Sequence, residues 1–161
     1  MASEKIPAVV GQYFTAIRNM DPDAWLGCFA EQAISYEPGA STPLQGHGAL
    51  RQFLAGVLGA FQKIEMTQDH VFQSGNRVAV KFTGHGTGKN GRAAVFEGID
   101  VFEINQEGKI QTMWGYWDPA ARWRNCRGHR SSEAQEGASL EITSSYNITS
   151  TGRRHRAGPR S

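Results

Sequence analysis

The chain has 161 residues, 39% hydrophobic and 20% charged, which fits one soluble globular domain with a real core and excludes a largely disordered protein. No apolar run reaches the length of a membrane span, the first residues hold no long apolar leader, and Cys28 and Cys126 lie too far apart for a metal-ligand spacing. A reduced, cytoplasmic protein is the expectation. The net charge of +2 conceals a division: residues 1–121 carry nine Lys/Arg against twelve Asp/Glu, whereas residues 122–161 carry eight Arg against three Glu, so the main domain is mildly acidic and no nucleic-acid binder.

Ile6, Val9, Val10, Tyr13, Phe14 and Ile17 recur at helical spacing and predict a first helix over 6–18. Tyr13 lies inside that stripe, so its hydroxyl enters the interior and needs a partner. Asp21-Pro22 predicts the start of a second helix, with Asp21 as cap and Pro22 at the first turn. Trp25, Leu26, Cys28, Phe29 and Ala30 are expected to belong to it.

Residues 33–37 read as a short strand ended by Pro38-Gly39, with Ala33, Ser35 and Glu37 on one side. By itself Glu37 reads as a solvated strand-end carboxylate. A third helix is expected from His47 to Phe61, burying Leu50, Phe53, Leu54, Val57, Leu58 and Phe61. His47 reads as a helix-terminus residue.

From Ile64 the pattern turns to strands, predicted over 64–73, 77–86, 93–104 and 109–118. The turns between them include Asn90-Gly91, a tight-hairpin pair. Gly84-His85-Gly86-Thr87-Gly88 reads as flexible turn rather than a phosphate cradle, because it opens no helix. His70 shares a face with Ile64, Met66, Gln68 and Phe72 and reads as a core histidine. In 96–104, Phe96, Gly98, Asp100, Phe102 and Ile104 fall on one face. A carboxylate among such neighbours is costly to bury charged, so Asp100 reads as a candidate neutral acid or a satisfied structural group. Trp114 and Tyr116 face away from Met113, Gly115 and Trp117 and read as a candidate interface. Residues 124–161 are rich in Ser, Gly, Thr and Arg and predict a disordered tail; the Asn147-Ile148-Thr149 sequon within it reads as accidental.

Helices followed by a curled meander describe an α+β cone with an internal pocket. The order resembles the ketosteroid isomerase and SnoaL-like group of the NTF2-like superfamily across roughly residues 5–119. The resemblance is carried by Val9-Val10 with Tyr13, Asp21-Pro22-Asp23, Phe29-Ala30, Glu37-Pro38, Gly46-His47, Ile99-Asp100 with Phe102, Gly108-Lys109-Ile110 and Tyr116-Trp117. It implies a curved antiparallel sheet wrapped around three N-terminal helices, a domain over 1–121 and a basic tail over 122–161. It also implies an oxyanion hole of Tyr13 and Asp100, with Glu37 as the base where steroid isomerases usually have aspartate. Phe82, Phe96, Met113 and Trp117 would then form the apolar pocket wall.

The implied activity is enolisation of a small hydrophobic carbonyl compound, by double-bond isomerisation or polyketide cyclisation, with no metal or organic cofactor. The implied assembly is a homodimer. The alternatives are a non-catalytic small-ligand binding or dimerisation module on the same fold, and an epoxide hydrolase, which would need an activated water.

Overall fold

A computed structural model describes residues 6–38 and 42–118. The expected tail, with Cys126 and the Asn147 sequon, lies outside the described residues. Among the described residues, three helices and six strands follow in chain order: α1 (Ala8–Arg18), α2 (Pro22–Leu26), β1 (Phe29–Tyr36), β2 (Leu44–Gln45), α3 (Gly46–Leu58), β3 (Phe61–Ser74), β4 (Arg77–Gly88), β5 (Ala93–Ile104) and β6 (Ile110–Trp117). The strands make one curved sheet in the order β2-β1-β6-β5-β4-β3. β3 to β6 form the antiparallel meander, β1 adds to β6 in parallel, and β2 caps β1. Among the described residues no helix is long and apolar enough to cross a membrane.

α1 buries Val9, Val10, Tyr13, Phe14 and Ile17 of the predicted stripe, together with Ala16, whereas Ile6 precedes the helix and is exposed. Each fully buried large apolar side chain contributes about 1.5–3 kcal/mol. Asp21 caps α2 through Oδ1, which accepts from the backbone N–H of Asp23 and Ala24 at 3.1 and 3.0 Å.

Two boundaries differ from the sequence expectation for the same reason. α2 ends at Leu26, and Phe29 and Ala30 already belong to β1, where Phe29 pairs with Ile110. Phe61 leaves α3 to open β3, where it pairs with Gly88. In both cases sheet pairing overrides a helical spacing that ran on by a few residues.

The glycine run 84–88 is strand rather than turn. A side chain at Gly84 would occupy the space of the Phe96 ring, and one at Gly86 the space of the Phe61 ring. These glycines let two aromatic rings lie flat on the ladder. A register shift between Gln68 and His70 turns the second half of β3 over. His70 and Phe72 therefore face outward and are exposed, which corrects the reading of His70 as a core residue.

The sheet thus has an inner face covered by helices and an outer face. One row on the outer face runs across five strands as Phe72, Ala79, Val101, Trp114 and Tyr36. Phe72 is 71% exposed, and the rings of Tyr36 and Trp114 stack with centroids 6.1 Å apart. The Arg77 guanidinium lies 5.8 Å from the Trp114 ring.

Candidate active site

The alternation of β5 buries Phe96, Asp100, Phe102 and Ile104 on the inner face. Asp100 is 2% exposed and stands in register with Val80 on β4 and Gly115 on β6. Tyr13 reaches the same interior from α1 and is 4% exposed. Its ring meets those of Phe102 and Phe14 edge-on, at 5.0 and 5.1 Å between centroids. These contacts fix the ring, so the direction of its hydroxyl is set by aromatic packing.

Glu37 arrives by a different route. The parallel ladder pairs Ser35 with Met113 and Tyr36 with Trp114. Glu37 is one step past the last pair, beside Gly115 and on the inner face. Both carboxylate oxygens accept hydrogen bonds. Trp117 Nε1 donates to Oε2 at 2.8 Å, and the Ser35 hydroxyl donates to Oε1 at 3.4 Å. Ser35 is fully buried, while Glu37 and Trp117 are half-buried. One inner row therefore carries Asp100, Gly115 and Glu37 on three neighbouring strand positions. Two ladder spacings put the Cα atoms of the carboxylates roughly 10 Å apart.

Tyr13, Glu37 and Asp100 line one cavity, together with Phe82 and Trp117. α3 contributes Phe53, Leu54 and Val57, and Ile17, Trp25, Ile64 and Met66 complete the wall. Phe96 and Met113 do not line it. Phe96 lies behind Phe82, at 6.5 Å between ring centroids, and Met113 is fully buried between Ser35 and Phe102 on the ladder. The cavity volume is about 20 Å3, close to what one water needs.

Sequence reasoning missed five contributors. Ser35 shares parity with Glu37, a signal that was present. Phe53, Leu54 and Val57 read as ordinary core. Trp25 lines the cavity, and its Nε1 is buried with no hydrogen-bond partner among the described residues, which composition cannot reveal. His47 is structural: Nε2 lies 3.1 Å from the carbonyl oxygen of Phe29, tying α3 to β1. Among the described residues no three His, Cys, Asp or Glu side chains converge as a metal-holding group. Buried Cys28 lies away from the cavity; its pKa is pushed up to about 11 by burial, partly offset by the Lys109 charge.

Comparison with known proteins fits this geometry. A steroid Δ-isomerase of Nocardioides simplex is 24% identical over 117 residues, covering 73% of this chain and 93% of the isomerase. SalBIII, an epoxide hydrolase/cyclase-like enzyme with a role in pyran ring formation in the polyether salinomycin, is 25% identical. It superposes with a TM-score of 0.64, covering 71% of this chain and 91% of SalBIII. An NTF2-like protein of unknown function from Burkholderia pseudomallei gives a TM-score of 0.65 at 21% identity, over 75% of this chain and 96% of its own. These likenesses support an isomerase- or cyclase-type enzyme at the level of the family. The SnoaL-like domain model matches residues 10–113, a span that holds Tyr13, Glu37 and Asp100, and with the fold it establishes that this chain belongs to the SnoaL-like family of the NTF2-like superfamily.

Proposed function

We propose that the protein enolises a small hydrophobic carbonyl compound. The observation that carries this reading is that three proton-active side chains from α1, the end of β1 and β5 line one apolar cavity. The substrate oxygen accepts hydrogen bonds from the Tyr13 hydroxyl and from Asp100 as its neutral acid. Glu37, as carboxylate, takes the proton from the adjacent carbon. That C–H bond breaks and its electron pair becomes the enolate double bond, with the charge held on oxygen by the two donors. Protonated Glu37 then returns the proton at the γ-carbon of a β,γ-unsaturated ketone, giving the conjugated isomer and restoring the carboxylate. In a substrate with a second carbonyl, the same enolate would instead close a ring. Phe82 and Trp117 hold the apolar part of the substrate.

The test uses cyclohex-3-enone and a β,γ-unsaturated steroid ketone, with conjugated-enone absorbance as the signal. Turnover of cyclohexenone, lowered about 100- to 10,000-fold in Glu37→Gln, is the expected result. Equal activity in Glu37→Gln overturns the base assignment.

The same reading includes a homodimer formed through the outer row of Phe72, Val101, Trp114 and Tyr36, continued by exposed Ile99 and Tyr116. Sedimentation should give twice the chain mass, and Phe72→Lys should halve it. A monomeric wild type rejects this assembly.

A further inference from the structure

Gly115 sits on β6 between the two candidate carboxylates, opposite Asp100 on one side and beside Glu37 on the other. Its backbone is outside the left-handed region, so an L side chain is conformationally allowed there. What excludes a side chain is space. A methyl group on its Cα would collide with Glu37 Oε2, and would stand 2.9 Å from Trp117 Nε1 and 3.0 Å from Glu37 Cδ.

Gly98, one strand over, provides a contrast. There the added methyl would lie 2.6 Å from the backbone oxygen of Tyr116 and 2.8 Å from the Phe82 ring. Gly98 is thus required by backbone and core packing. At Gly115 the three nearest atoms all belong to the ends of Glu37 and Trp117, the pair joined by the 2.8 Å hydrogen bond. The fold can take a methyl at 115 by displacing a carboxylate. The carboxylate then cannot keep its position.

We infer that Gly115 is a positioning residue, whose missing side chain provides the seat for the long carboxylate of Glu37 against the Trp117 indole. This inference rests on the reading of Glu37 as base. Glutamate carries one methylene more than aspartate, and the glycine supplies the room that the extra length requires. Position 115 therefore decides which acid can work at position 37. A glutamate needs glycine there, and an aspartate tolerates alanine.

The experiment combines Gly115→Ala, Glu37→Asp and the double variant. Two readouts are used: cyclohex-3-enone turnover, and the Trp117 indole N–H resonance by 1H–15N NMR. Gly115→Ala should shift the indole resonance toward that of an unbonded indole. It should lower kcat about 100-fold with KM little changed. The double variant should exceed the product of the two single losses by about tenfold. If Gly115→Ala does not fold but the double variant does, the space is likewise assigned to the glutamate; if neither folds, the glycine serves the fold and the inference fails. An unmoved indole resonance in folded Gly115→Ala also overturns it, as does strict additivity of the two losses. The indole readout needs no turnover. An inactive wild type, or an active Glu37→Gln, would reject the base reading while the resonance still decides the seat.

Discussion

Asp100 and Glu37 line the same cavity but are held by opposite means. Asp100 belongs to the interior of a twelve-residue strand, is paired on both sides, and is almost fully buried. Its position follows from the ladder, which pairs it with Val80 and Gly115. Glu37 lies past the end of β1, half-buried, with its two oxygens held by Trp117 and Ser35. The difference matches the two proposed tasks. A donor to a developing charge gains from rigidity and from low polarity around it. A base that collects a proton at one carbon and delivers it at another needs reach, which a strand-end glutamate has.

The comparison can be broken most forcefully at Asp100. Asp100→Asn keeps the size of the proposed neutral acid but replaces its acid proton with a weaker amide donor. It should lower kcat about 100-fold while leaving thermal stability nearly unchanged. A charged Asp100 in the wild type would undo the argument, and carboxyl-carbon NMR from about pH 4 to about pH 8 checks it.

At the other carboxylate, Trp117→Phe removes the 2.8 Å donor and should lower kcat about tenfold. Ser35→Ala, which removes a bond at 3.4 Å, should cost only about two- to threefold. If Ser35→Ala is the more damaging, the ranking of the two holds is reversed.

A separate effect, on stability rather than turnover, tests the premise that burial favours the protonated form. Cys28 has that environment without any catalytic task. Its folded pKa, raised from an ordinary 9.0 to about 11, contributes stability that is complete below pH 9.0 and is lost as pH rises through about 11. The unfolded chain gives up the thiol proton first, so unfolding is favoured in that window, by roughly 2–3 kcal/mol in total. Denaturant unfolding of wild type against Cys28→Ala should show the alkaline slope flattened in the variant. Parallel slopes would mean that burial does little to the thiol.

Much of the site was legible because strands alternate without fail where the ladder is regular. β5 is such a strand, and its parity alone put Asp100 among Phe96, Phe102 and Ile104. The helical stripe brought Tyr13 inward in the same way. Legibility stopped where the ladder is irregular. One register shift in β3 reversed the faces of His70 and Phe72, and no periodicity argument sees a bulge before the partner strand is known. The glycines of β4 read as turn because their reason, the rings of Phe61 and Phe96, comes from other strands. The pocket wall behind Phe82 was misjudged for a related cause. Phe96 and Met113 share a face with the site, but sharing a face does not fix depth along it. Gly115 was visible as a letter and its role was not, since its neighbours are two side-chain ends from elsewhere in the chain.

The parallel pairing of β1 with β6 has a consequence for the order of assembly. Glu37 and Trp117 are 80 residues apart in sequence, and among the described strands the ladder that brings them together is the last to become available during synthesis. α1, α2 and the β3–β5 meander can all form while β6 is still within the ribosome. Contacts so distant in sequence close slowly and late. On the proposed reading of Glu37 as base, the nascent protein acquires most of its enclosing walls before that base is held, and a chain cut short before Trp117 would lack both a wall residue and the donor to Glu37 Oε2.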